Sequence, residues 1–207
     1  MTADLANSIS QLPRAEVNGT WHRHVPGRVI DEALTGQVAP SRWGSGQGGF
    51  PVLFLGRPDK SVVIEAYRHF VDPVVDRPDI VSQLAPRRMV TCTVAVGELL
   101  DLRTAAARVA TGLDMRILQC GTDDRDAYSR CREIAAIAHQ LGFHGLVAPA
   151  ATGVGVGETL ALFTRHLTND ELPMRSAPDV LWDPWPPDPR LPATHHLRVV
   201  RPSPDDD

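Results

Sequence analysis

The chain has 207 residues, 43% of them hydrophobic and 22% charged, which suits one soluble domain with a real core. A net charge of −4 argues against a large nucleic-acid surface, because such domains are usually basic. No apolar run approaches the roughly 20 residues of a membrane helix, and the start MTADLANSIS lacks the basic-then-apolar pattern of a secretion signal.

Residues 1–19 read as a polar lead-in with a short helix before Pro13. Residues 20–25, TWHRHV, read as a short strand stopped by Pro26-Gly27. Alternation places Trp21, Arg23 and Val25 on one face and His22 and His24 on the other. An arginine between apolar neighbours needs a partner or a ligand. The two histidines have a spacing that suits a metal, but no nearby carboxylate or cysteine completes a ligand set, so no metal is expected. Cys92, Cys120 and Cys131 show no CxxC spacing and imply reduced thiols in a cytoplasmic protein.

Residues 28–41 predict a turn or short helix leading into RWGSGQGGFPVLFLGRPDKSVVIE, residues 42–65. Residues 52–55 form a short buried strand there, and Pro58 and Asp59 stop it and cap a helix carrying Val62, Val63, Ala66, Tyr67 and Phe70. Arg42 before a glycine turn, Phe54 on the strand and Glu65 on the helix fit an anion-and-sugar site. Arginine grips phosphate with a planar fork, and glycine lets backbone approach a ligand. Each residue also has an ordinary reading. Glu65, with Arg68 and His69 three and four positions on, fits a solvated helix face, Arg42 a surface arginine, and Trp43 a core residue.

Residues 71–88 are loop-like, with Pro73, Pro78 and Pro86. Residues 90–96 alternate cleanly as a half-buried strand. Thr104 caps a short alanine-rich helix ending at Gly112, and Asp123 or Asp124 caps a longer one ending at Gly142. The longer helix buries Ala127, Cys131, Ile134, Ala138 and Leu141 and leaves Ser129 off that stripe. Residues 145–148 are a short buried strand. The glycines at 153, 155 and 157 lack the third glycine of GxGxxG and a following lysine, so they read as a turn before a strand at 159–164. That also leaves a Rossmann redox enzyme without its early strand-loop-helix unit. Half of the 18 prolines fall in the last 37 residues. WDPWPPDP is extended, residues 197–200 are a candidate edge strand, and PSPDDD reads as disordered. The chain therefore divides into a lead-in (1–19), one central domain (20–170) and a proline-rich extension (171–207).

Taken in order and spacing, these pieces resemble the RES domain, a family named for an arginine, a glutamate and a serine. WHRH is similar to its aromatic-x-Arg opening, with Arg23 as the arginine. SRWGSGQGG resembles its Gly-Arg-Trp segment, with Arg42. VLFLGRPDKSVVIE resembles its strand with an aromatic, followed eleven residues later by glutamate, which gives Phe54 and Glu65. DAYSRCREIAAIAHQLGFHGLVAPAA resembles its late helix and strand, with Ser129 at the serine. The chain departs where related toxins often carry tyrosine, at His24 and Phe54. It also has Pro149-Ala150-Ala151 where some members carry a serine.

The resemblance implies an α+β fold of ADP-ribosyltransferase type, a split, mostly antiparallel sheet with flanking helices. It implies an NAD⁺-degrading toxin of a type II toxin–antitoxin system, cutting the nicotinamide–ribose bond as a glycohydrolase or phosphorylase. NAD⁺ is then a substrate and inorganic phosphate a possible co-substrate, with no resident cofactor. On this reading Glu65, Arg23 and Ser129 are catalytic, and Arg23, Arg42, His24, Phe54 and Ser129 bind substrate. The partner implied is a cognate antitoxin with an Xre-type helix-turn-helix domain, which alone contacts DNA, in an oligomeric complex. The alternative is a catalytically weak RES-like module that mainly binds a protein partner.

Overall fold

The computed structural model describes residues 2–73, 80–152 and 157–191. Two long strands carry the architecture. β1 (Arg14–Pro26) and β3 (Arg87–Asp101) pair antiparallel almost end to end, with Trp21 opposite Cys92. Both of those side chains are fully buried, with Val17, Val94 and Val96 around them. Each strand is longer than the alternation predicts, for a local reason. Gly19 sits inside β1 at φ 118°, which favours glycine. In β3 the register shifts opposite residues 15–17, where Glu98 takes φ 53°. This bulge interrupts the period of two, so the alternation stops at Val96 while the strand runs on to Asp101.

β2 (Val52–Arg57), β4 (Gly145–Pro149) and β5 (Glu158–Phe163) complete the central sheet. The order β1-β2-β5-β4-β3, with β3 returning to β1, makes these five strands a ring. Every pairing is antiparallel except β3 with β4, over Leu99–Asp101 and Gly145–Val147. β1 and β2 meet at a single pair, His22 opposite Gly56. Gly145 is obligatory at the start of β4, between β3 and β5, because a Cβ there would run into the Ala161 carbonyl.

The helices flank the ring. α1 (Thr2–Ser10) is the expected short helix, and it buries Ile9 against α6 (Arg125–Gln140), Phe143 and Leu146. Asp124 caps α6 by accepting the Ala127 N–H at 3.0 Å, and the chain leaves through Gly142 at φ 76°. The expected stripe is buried, apart from Leu141, which is only partly covered. α4 (Ala105–Thr111) begins at Thr104, which accepts the Ala107 N–H, and ends at Gly112 in the left-handed region. α2 (Asp59–Phe70) has Pro58 in the cap position. Asp59 is already helical and its carboxylate accepts the Lys60 N–H. Two short helices are additional to the prediction. α3 (Ile80–Gln83) lies in the segment read as loop, and α5 (Met115–Leu118) precedes α6.

The proline-rich segment joins the same sheet. β6 (Met174–Arg175) pairs with Cys92 and Thr93, and β7 (Val180–Trp182) with Arg87–Met89. Trp182 and Trp185 are buried against Val62, Val63, Ala66 and Tyr67 of α2. Residues 183–189 are not helical, as expected, but bend at 183–184 and enter a turn at 189 instead of running extended throughout. The glycines at 153 and 155 and the candidate strand at 197–200 lie outside the described residues. Among the described residues, no helix is long and apolar enough to cross a membrane.

Candidate active site

A cavity of about 610 Å³ opens where β1 and β2 meet, a size typical of small-molecule sites. β1 contributes His22, Arg23 and His24. β2 contributes Phe54 to Gly56, and α2 contributes Ser61, Val62, Glu65, His69 and Phe70. The loop before β2 supplies Ser41 and Arg42, the end of β4 supplies residues 149–152, and Arg87 enters from β3. Of the six residues singled out in the sequence, Arg23, His24, Arg42, Phe54 and Glu65 line this space. Ser129 does not. It is exposed on α6, while its neighbour Tyr128 faces the cavity. Ala150 and Ala151, where some relatives carry a serine, do line it. His22, Arg23 and His24 all border the cavity, and the expected alternation holds: Trp21 and Val25 are buried and Arg23 donates to the Ala33 and Thr35 carbonyls beside Val25, whereas His24 packs with Phe70 and Trp182.

At one end the charge is positive and unmatched. Arg23 donates from Nη1 to the Ala33 carbonyl at 2.8 Å and the Thr35 carbonyl at 3.4 Å, and burial holds its pKa below the usual range. His24 stacks on Trp182 with ring centroids 5.6 Å apart, and its Nδ1 accepts from Arg87 Nε at 2.7 Å. That bond leaves the ring proton on Nε2 and the imidazole neutral. Burial, followed by the charges of Arg87, Arg23 and His69, lowers the His24 pKa to about 3. Arg87 also lies over the Phe70 ring at 4.8 Å. Burial, then Arg28 and Arg23, lower its pKa to about 10, so it stays charged at neutral pH. Among the described residues neither Arg23 nor Arg87 has a carboxylate partner.

Elsewhere on the wall Glu158 and Arg42 are fully engaged and Glu65 is loosely held. Glu158, at the start of β5, accepts from Arg57 Nε at 2.6 Å and from Arg103 Nη1 at 2.8 Å. Arg103 also donates to both oxygens of Asp101 at 2.8 Å. Arg42 lines the cavity, but its fork is occupied. Nη1 donates to the Ile117 carbonyl at 3.0 Å and to Cys120 Sγ at 3.1 Å, and Nη2 to the Cys120 carbonyl at 2.9 Å. The guanidinium lies 4.7 Å from the Tyr128 ring centroid. It thereby ties the stretch before β2 to the end of α5. Glu65 has a side chain 52% exposed, and among the described residues its one ion pair is a loose 3.7 Å contact with Arg68. Arg68 is itself engaged by the Ala151 and Cys120 carbonyls.

Sequence reading missed several lining residues, among them Ser61, Arg87, Tyr128, Arg132 and Glu158. One signal was available for Arg87, because no acidic residue stands between Asp79 and Glu98 to neutralise it locally. Among the described residues no cluster of His, Cys, Asp and Glu could hold a metal.

The model of the RES domain matches residues 19–183. A comparison with curated proteins found no match. Among solved structures the chain is similar to one from the crystal structure of the M. tuberculosis MbcT-MbcA toxin-antitoxin complex. Identity is 24%, the match covers 87% of this chain and 93% of that one, and the TM-score is 0.70. At that identity the likeness establishes a shared fold.

Proposed function

The chain belongs to the RES domain family, and on that premise we propose that it is a toxin that consumes NAD⁺ by cutting the bond between nicotinamide and ribose. The observation that carries this reading is the state of the two cavity carboxylates. Glu158 is neutralised by two arginines, and Glu65 is half exposed with one loose contact. A single free carboxylate beside unmatched arginines suits a substrate with anionic phosphates and a ribose that becomes positive during reaction.

As the glycosidic C–N bond breaks, its electron pair leaves with nicotinamide, which departs neutral and needs no general acid. Positive charge develops on the ribose carbon and ring oxygen. Glu65 stabilises that charge, an effect worth about 3–4 kcal/mol in a preorganised site. An oxygen of water or of inorganic phosphate then bonds to the anomeric carbon. Water loses a proton in this step and gives ADP-ribose, whereas phosphate gives the 1-phosphate ester. Phe54 offers a ring face to the nicotinamide or ribose. Arg23 faces the phosphates, and Arg42 holds the wall through its carbonyl contacts. Purified protein incubated with NAD⁺, with and without phosphate, tests the proposal by release of nicotinamide. If NAD⁺ survives both incubations, the enzyme reading fails and a partner-binding module takes its place.

A cytoplasmic enzyme of this kind needs restraint. We therefore assign it a cognate antitoxin with an Xre-type helix-turn-helix domain, which would carry the DNA contact that a chain of net charge −4 is poorly suited to make. The support is family membership and a fold shared with a chain from a toxin–antitoxin complex. Expression alone should arrest growth as NAD⁺ falls, and co-expression with the neighbouring gene should restore it.

A further inference from the structure

Arg87 opens β3 directly opposite Trp182 of β7 and reaches the cavity beside Arg23 and His24. Its base is held from two sides, by the 2.7 Å bond from Nε to His24 and by the Phe70 ring under its plane. His24 is in turn fixed by its stack on Trp182. This anchoring uses Nε alone, and among the described residues no protein group accepts from the two terminal nitrogens of Arg87. Around it stand the His24 imidazole, the Phe70 and Trp182 rings and the charges of Arg28 and Arg23, and among the described residues no carboxylate pairs with it. Like charges gathered out of water disfavour one another until an anion arrives. A guanidinium clamped at its base with both terminal nitrogens open matches an anion that presents two oxygens.

We propose that Arg87 is a phosphate ligand, forming with Arg23 a two-guanidinium clamp on the pyrophosphate of the dinucleotide, and that His24 is the positioning residue that aims it. The identity of the dinucleotide rests on the NAD⁺ reading above, whereas the clamp needs only a pyrophosphate. Arg42 is not the second arm, because its fork is closed by Ile117 and Cys120.

Calorimetric titration of the full chain with ADP-ribose, inorganic pyrophosphate and nicotinamide tests this in the wild type, R87Q, R87K and H24Q. R87Q should weaken ADP-ribose and pyrophosphate by about tenfold or more and leave nicotinamide unchanged. R87K keeps the cation without the fork and should fall between R87Q and wild type. H24Q should weaken ADP-ribose by a few fold at unchanged nicotinamide affinity. A loss of all three ligands together in R87Q, with a lowered Tm, would mark a structural role and overturn the clamp. Unchanged ADP-ribose affinity would do the same, in R87Q or, should R87Q not fold, in R87K. No pyrophosphate or ADP-ribose binding by the wild type also overturns it. Pyrophosphate binding through Arg87 without any NAD⁺ turnover would keep the clamp and reject the NAD⁺ reading. NAD⁺ turnover with an unaltered KM in R87Q would keep that reading and reject the clamp.

Discussion

Two groups of arginines sit in opposite surroundings: Arg23 and Arg87 line the cavity, whereas Arg57 and Arg103 stand outside its lining and are tied to it through Glu158. Arg57 and Arg103 share Glu158, and Arg103 also holds Asp101. Those hydrogen bonds raise the Arg103 pKa well above its ordinary value. Arg57 and Glu158 are also register partners on β2 and β5, so this group stitches strands. Arg23 and Arg87 sit with His24, Phe70 and Trp182 and, among the described residues, have no carboxylate partner, and burial lowers the pKa of both. Ring faces give a cation some support without cancelling its charge. The same residue type thus does two jobs. Where the charge is matched within the fold, it contributes to stability. Where it is left unmatched, the fold bears a cost that a bound anion relieves.

Glu65 belongs to neither group and carries the largest expected effect. E65Q should fold normally, because its side chain is half exposed, and should lose about a hundredfold or more in NAD⁺ turnover. Turnover near the wild-type rate would remove Glu65 from the chemistry. The second effect contrasts the two groups directly. E158Q leaves Arg57 and Arg103 short of their shared partner and should cost about 2 kcal/mol, a Tm drop of about 4–8 °C. R87Q removes a cation that nothing neutralises and should change stability by less than about 1 kcal/mol. Equal losses in the two variants would mean that the groups are alike, and the distinction would fail.

The strands that build this contrast were legible only in part. The interior of β3 shows in its alternation, but the bulge at Glu98 hides its far end. Among site residues, Arg23, Phe54 and Glu65 were visible because strand, turn and helix lie close together in the chain. Arg87 was not, because its surroundings come from Trp182 on a distant strand. Arg42 illustrates the converse. An arginine before a glycine turn reads as a ligand-binding residue, and nothing local reveals that the carbonyls of Ile117 and Cys120 arrive at its fork.

The unmatched group should also leave a signature in pH. His24 has a folded pKa of about 3, lowered by burial and then by Arg87, against an ordinary value of 6.5. Between those values the unfolded chain binds a proton that the folded chain refuses. Stability therefore rises with pH across this window and is lost as pH falls below about 6.5, by at most about 1.4 kcal/mol per pH unit. H24Q should flatten the fall in Tm between pH 7 and pH 5. The depressed carboxylates Asp72 and Asp188, both bound to Arg190, stay ionised there and do not contribute. An identical pH slope in H24Q and wild type would show that His24 takes up its proton normally in the fold, and that the cationic wall around it is weaker than the geometry indicates.

The smallest effect belongs to a residue outside both groups. Ser129 lies one position beyond Tyr128 on α6, and one helical step of about 100° takes it from the cavity wall to the exposed face. Hydrogen bonding to a nicotinamide amide or phosphate from there would require α6 to rotate, although the helix is pinned by its buried Cys131, Ile134 and Ala138. S129A should therefore alter NAD⁺ turnover by less than about twofold and stability by less than about 0.5 kcal/mol. Ala150 is the sharper probe of a serine's value. It is buried at the cavity wall, so A150S adds a hydroxyl to that wall, and a change in KM there with none in S129A would locate the serine position functionally. A large loss in S129A would instead mean that the reactive complex uses a face of α6 turned away from the cavity.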